Sequence, residues 1–154
     1  MGTRSSIGVM QQDGSVKSIY CHWDGYYSGV GKTLVEHYNT EEKANAVVAL
    51  GGLSTLQENL SPVPQANERY TRSGEEPKII LAKDHSFDTP QENVTVAYHR
   101  DRGDELSIDK FTDLKKYNRS GNFQAYDYLY KDGAWHTLRG KEWILLTEEM
   151  ISEK

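Results

Sequence analysis

Cysteine is nearly missing: Cys21 stands alone among 154 residues. One thiol forms no internal disulfide and no thiolate zinc cluster. Long apolar runs are missing as well. No stretch approaches the roughly 18 residues of a membrane span, and the opening Met-Gly-Thr-Arg-Ser-Ser leads into Ile-Gly-Val and Gln-Gln-Asp without the apolar segment of a signal peptide. These absences predict a cytoplasmic protein with no membrane partner, in which the sequons at Asn93 and Asn118 carry no meaning. There is no basic excess either. Lys and Arg number 18 against 23 Asp and Glu, a net charge of −5, which argues against direct nucleic-acid binding through a basic stripe. The acidic residues are too dispersed for nucleic-acid mimicry, being densest at Glu75–Glu76, Asp101–Glu105 and Glu148–Glu149, and read as a solubility device. Proline is scarce and local: Pro62, Pro64, Pro77 and Pro90 all fall within 61–93.

What is present suffices for one core. The length fits a single domain over 1–154, and Tyr 10, Trp 3 and Phe 3 supply large apolar side chains. Alternating residues at Ile7–Gln12 and Val16–Trp23 flank Asp13-Gly14, a strong hairpin signal. Continued alternation places Ile19, Cys21 and Trp23 on a buried face, with Tyr20 and His22 opposite. A glycine-rich connection over 24–31 then opens a helix over Lys32–Tyr38, with Val30, Leu34, Val35 and Tyr38 at helical spacing. Thr40 caps a second helix carrying Ala44, Val47 and Val48, which Gly51-Gly52 stops. Leu53–Leu60 reads as a further short helix.

The polar, proline-bearing stretch 61–93 reads as a long surface excursion with one short strand in Ile79–Ala82. Val94–His99 alternates as a strand and ends in a charged turn, His99–Glu105. Ser107 caps a helix bearing Ile108, Phe111, Leu114 and Tyr117. Phe123–Tyr130 and Ala134–Leu138 flank Asp132-Gly133 as a second hairpin, followed by a strand at Trp143–Leu146 and a helical turn at Thr147–Ile151. The sum is an α+β domain: an antiparallel sheet of four to six strands built from two Asp-Gly hairpins, with two to three helices on one face.

Four constellations bear on chemistry. Tyr26-Tyr27-Ser28-Gly29-Val30-Gly31-Lys32-Thr33 ends like a Walker A loop. Tyr26 occupies the position of the first glycine, no βαβ unit surrounds it, and Ile79–Asp84 is a poor Walker B strand. A reduced reading keeps an anion at the glycine-rich helix start near Lys32, with Tyr26 or Tyr27 stacking on a base; the alternative is a tight connection that needs its glycines for backbone angles. His22, Asp24 and His37 lack metal-ligand spacing, so no metal is expected, and Asp24 reads as a loop cap. In the charged turn, Arg100 and Arg102 suit a phosphate, with a carboxylate as base, or equally a salt-bridged, solvated hairpin tip. Tyr126, Tyr128 and Tyr130 share one strand face, which is either a protein-binding stripe or packed under a helix. There is no GxSxG nucleophile elbow, and Cys21 sits on a buried face, so no catalytic residue is assigned.

Five stretches form a familiar set: Thr3–Val9, Ile19–Tyr26, Leu34–Asn39, Val94–Gly103 and Tyr128–Trp135. Together they resemble a group of small proteins encoded by phages, prophages and plasmids, with 61–92 the weakest part. The resemblance implies a setting rather than a chemistry. Accessory proteins of mobile elements often counter host defences, by binding a defence protein as anti-CRISPR proteins do or by sequestering a signalling nucleotide. The expected function is therefore inhibition of a host anti-phage defence by binding, without a cofactor. Trp23, Asp24, Tyr26, Tyr27, Lys32, His99, Arg100 and Arg102 are the ligand-binding candidates, gathered as one site. The alternatives are an enzyme acting on a nucleotide or phosphoester with His99 or Asp101 as base, and a homo-oligomer assembled through the tyrosine face.

Overall fold

A computed structural model describes residues 3–61, 65–66, 79–80, 85–91, 93–121 and 123–152. Strands β1 (Ser5–Met10) and β2 (Val16–Cys21) form the first hairpin. Gly14 takes a φ of +88° at its tip, and the Asp13 carboxylate accepts from the Ser15 N–H at 2.9 Å and hydroxyl at 2.6 Å. After β2 a single π-helical turn, Tyr27–Gly31, runs into α1 (Lys32–His37). α2 (Glu41–Ala49) starts where the Thr40 hydroxyl accepts from the Lys43 N–H at 3.2 Å. β3 (Leu53–Thr55), β4 (Gln65–Ala66), β5 (Ile79–Ile80), β6 (Val96–Ala97), α3 (Tyr98–Arg102), β7 (Asp109–Phe111) and α4 (Leu114–Asn118) follow. The second hairpin joins β8 (Tyr126–Lys131) to β9 (Ala134–Arg139). Asp132 and Gly133 both have positive φ, 52° and 79°, as a two-residue turn matched to strand twist requires. β10 (Glu142–Leu145) and α5 (Glu148–Ile151), capped by Thr147, complete the chain.

The α+β class holds, but the sheet is larger than expected and mixed. Among the described residues it has eight strands, in the order β10-β9-β8-β1-β2-β3-β6 with β7 also paired to β2. β1 runs parallel to β8, and β2 runs parallel to β3. The expected all-antiparallel sheet of four to six strands fails because both hairpins turn out to be joined through β1, a long-range contact that neither hairpin encodes. β4 and β5 form a separate two-stranded pair, which accounts for the short strand expected near Ile79. Pro62, Pro64, Pro77 and residues 81–84, including the rest of the Ile79–Asp84 stretch, lie outside the described residues.

Alternation divides the core between two faces. Ile7, Val9, Ile19, Cys21, Tyr128 and Tyr130 pack against Val30, Leu34, Ala44, Val47 and Val48, with Met150 and Ile151 closing the edge. On the other face Val16 and Leu129 meet Tyr117 from α4, ringed by Phe111, Phe123 and Trp143. The Tyr117 and Trp143 rings stack at 5.8 Å. Helices therefore cover both faces, not one. The tyrosine stripe is packed: Tyr128 is fully buried and its hydroxyl donates to the Gly25 carbonyl at 2.6 Å. The second face also buries polar groups, with the Ser6 hydroxyl donating to Asp127 Oδ1 at 2.5 Å and the Gln124 N–H at 2.9 Å. Burial pushes the Asp127 carboxyl above its usual range, only partly opposed by these hydrogen bonds.

Three local expectations are corrected. Leu53–Thr55 is a strand rather than the start of a helix, because the edge of β2 needs a partner and Leu53 pairs with Cys21. Ser107 does not precede a helix: Asp109–Phe111 pairs with Val16–Ser18, and the helix begins later, where Asp113 accepts from the Lys116 N–H at 2.8 Å. The strand expected over Val94–His99 is confined to Val96–Ala97, and the charged turn is the short helix α3, ended by Gly103 at a φ of 85°.

Candidate functional site

The site begins where β2 ends. His22 and Trp23 still donate backbone hydrogen bonds to the carbonyls of Leu53 and Ser54, both at 3.0 Å. Asp24 then adopts a φ of 58° and turns the chain away from the sheet. This overturns the core position expected for Trp23. The inward face is already completed by Cys21, and Trp23 is left 41% exposed, its ring edge-on to His22 at 4.8 Å.

Trp23 borders a groove of about 430 Å³. Phe87, Pro90, Val94 and Val96 supply the remaining apolar lining, and Ser54, Thr55, Gln57, Gln91 and Asn93 supply hydroxyls and amides. Among the described residues no charged side chain lines it. One side is built by the β3–β6 region, where the Thr95 hydroxyl accepts from the Gln57 N–H at 2.9 Å and Asn93 turns with a φ of 61°. The other side is the segment 85–91.

That segment is docked on α3. The Phe87 N–H donates to the Asp101 carbonyl at 3.0 Å. His85 is buried, and its Nδ1 accepts from the Gln91 N–H at 2.9 Å, so the proton belongs on Nε2. Nε2 lies 3.3 Å from Asp101 Oδ2, close to the carboxylate but not aligned as a hydrogen bond. Asp101 also accepts from Arg100 Nε at 2.9 Å and from the Ala97 N–H at 2.8 Å. Burial pushes its carboxyl up, but the Arg100 and Ala97 hydrogen bonds and the charges beside it outweigh that and hold it below the usual range. Arg100 further donates to the Leu60 and Thr95 carbonyls at 2.6 and 2.7 Å. Arg100 and Asp101 thus satisfy the Thr95 C=O just before β6 and the Ala97 N–H within it, at the last strand of the sheet, as a neighbouring strand would.

The eight candidate residues do not form one site. Trp23 borders the groove, and Arg102 reaches it through Phe87, its guanidinium carbon lying 4.6 Å from the Phe87 ring centre and 4.7 Å from that of Tyr98. Arg100 is consumed behind the wall. His99 is exposed, with Nδ1 2.7 Å from the Asp104 carbonyl. Asp24 and Tyr26 bond each other at 3.1 Å. Tyr27 packs edge-on against Tyr126 at 5.0 Å, on the β8 side of the molecule. Lys32 is exposed at the start of α1. The 24–32 loop is no anion cradle, since the N–H groups of Gly29, Val30, Gly31 and Lys32 all bond carbonyls within the loop. Nor do its glycines serve positive φ. They permit close approach: a Cβ on Gly29 would lie 2.2 Å from the Asp24 oxygen, and one on Gly25 2.7 Å from the Thr3 oxygen.

Phe87, Gln91, Asn93 and the buried His85 were missed. They sit in a proline-bearing stretch without periodicity; its aromatic and histidine were the available signal that part of it docks. As a general base Asp101 is poorly placed, being buried with both oxygens engaged. Among the described residues no group of three His, Cys, Asp or Glu side chains is arranged to hold a metal, and no helix is long and apolar enough to cross a membrane. Set against protein-family models, curated proteins and solved structures, the chain matches none of them.

Proposed function

We propose that this chain is a non-catalytic binding protein, an accessory protein of a phage or mobile element that blocks a host defence by sequestering a small nucleotide signal in the Trp23–Phe87 groove. The observation that carries this reading is the groove itself: an exposed tryptophan and a phenylalanine border about 430 Å³ whose other lining, among the described residues, is apolar or made of amides and hydroxyls. Aromatic side chains offer a nucleobase a stacking surface, and neutral amides and hydroxyls read its edge. A concave site of this size suits a small planar ligand better than a flat protein face. The mobile-element setting rests on the resemblance of the five stretches.

The test mixes the purified protein with a nucleotide extract of phage-infected cells, releases bound molecules by mild denaturation and identifies them by mass spectrometry. The expected result is an unmodified nucleotide that Trp23→Ala no longer retains. A chemically altered product would replace this reading with an enzyme. An empty protein that captures a host defence complex would replace it with a protein inhibitor.

A further inference from the structure

We propose that the groove's ligand carries a phosphate, that Arg102 takes this phosphate, and that Asp104 is an internal competitor occupying the guanidinium until the ligand arrives. This rests on the groove being a nucleotide site. The Phe87 ring lines the groove, and the Arg102 guanidinium carbon lies 4.6 Å from its centre. A base in van der Waals contact with Phe87 therefore has the guanidinium within about 8 Å, a distance that a ribose bridges to its phosphate.

The two arginines of α3 differ in what they can give up. Arg100 is tied to two backbone carbonyls and to buried Asp101, so it is structural. Arg102 bonds only the carboxylate of Asp104 among the described residues, at 2.6 Å, and both side chains are largely exposed, at 47% and 41%. Its guanidinium is already oriented over Phe87 and Tyr98, so a planar two-pronged donor is in place before any anion binds. Asp104 neutralises it, and a phosphate must displace that carboxylate. The Asp104 main chain is anchored separately, its carbonyl 2.7 Å from His99 Nδ1 and its N–H donating to the Tyr98 carbonyl at 3.1 Å. A side-chain rotation of Asp104 breaks its hydrogen bonds to Arg102, with Asp88 remaining within electrostatic reach.

Isothermal titration of the four ribonucleoside 5′-monophosphates, their nucleosides and inorganic phosphate separates the terms, with wild type, Arg102→Gln, Asp104→Asn and Trp23→Ala compared after circular dichroism confirms folding. At least one monophosphate should bind about tenfold tighter than its nucleoside, the worth of one charge-assisted contact. Arg102→Gln should erase that difference, so that nucleoside and monophosphate bind it equally. Asp104→Asn should widen it, because the competitor is gone, and keeps the proposal testable should Arg102→Gln misfold. Inorganic phosphate alone should bind no better than it does to Trp23→Ala. Equal binding of nucleoside and monophosphate, or weaker monophosphate binding by Asp104→Asn, overturns the proposal while the groove reading stands. Absence of any nucleoside or nucleotide binding overturns both.

Discussion

Replacing Asp101 with asparagine sets the buried cluster at α3 against itself. Oδ1 accepts from Arg100 Nε at 2.9 Å, while Oδ2 accepts from the Ala97 N–H at 2.8 Å and lies 3.3 Å from His85 Nε2. An asparagine amide must turn its NH₂ toward one of these donors, whichever way it is flipped. Breaking a buried charge pair costs about 3–5 kcal/mol. Arg100 keeps 28% side-chain exposure and can recover some hydration, so the low end, about 3 kcal/mol, is expected. With a urea dependence of about 2 kcal/mol per molar, the unfolding midpoint should fall by about 1.5 M. The same measurement on Asp104→Asn should show almost no shift, since that carboxylate faces solvent. The acid side supplies a second check. Asp101 titrates below its unfolded value near 3.9, so its contribution is complete above that pH and is lost as the pH falls through the lower folded value. The gap between wild type and Asp101→Asn should therefore close only below about pH 4. A midpoint shift under about 0.3 M at pH 7, or an equal loss in Asp104→Asn, would refute the assignment of the cluster as the segment's anchor.

Four further outcomes follow. Asp127→Asn removes a buried charge yet keeps an acceptor for Ser6 and Gln124. Because the carboxyl's folded value is raised, its contribution is present at low pH and lost as pH rises through that value; the variant should melt at or above wild type at pH 7, with its advantage shrinking toward pH 4, and a lower melting temperature at pH 7 contradicts this. Tyr128→Phe orphans the Gly25 carbonyl and should cost about 1–2 kcal/mol, lowering the melting temperature by about 4 °C; an unchanged melt would mean the hydroxyl is dispensable. Gly29→Ala drives a Cβ against the Asp24 carbonyl and should lower the melting temperature by about 10 °C or prevent folding, whereas tolerance would show that the 24–32 loop can relax. Cys21 is fully buried and its thiol is pushed up to about 12, chiefly by burial, so a disulfide reagent should modify it only at the rate of unfolding; prompt reaction in native buffer would contradict that burial.

What was legible in the sequence was local. Asp13-Gly14 and Asp132-Gly133 specify turns whose geometry depends on two residues, and the cap at Thr40 acts within one helical turn. The stripe Ala44, Val47, Val48 declares its own buried side. What escaped was decided at a distance. Alternation along β2 was carried one residue pair too far at Trp23, since only the turn at Asp24 shows where the strand's obligations end. Phe111 fits a helical stripe with Leu114 and Tyr117, yet the open edge beside Val16 claims it for a strand. The charged run His99–Glu105 left a phosphate site and a salt-bridged tip both open, and most of its charges serve one another and the backbone around β6, a choice that only the neighbouring strand decides. For the site, Trp23 and Arg102 were among the candidates and lie at or next to the groove, but Phe87, which links them, comes from a stretch that has no pattern to read.

The parallel pairing of β1 with β8 bears on how the molecule is made. Ser6 and Asp127 are hydrogen-bonded across 121 positions of sequence, and β1 is flanked on both sides only once β8 has arrived. During synthesis the first hairpin can close early, and α1 and α2 can cover Ile7 and Val9, but it must wait with one long edge bare until residue 126 clears the ribosome. Closing so large a loop is slow, and a waiting edge is open to pairing with other chains. The yield of folded protein should therefore fall as the concentration of sibling nascent chains rises.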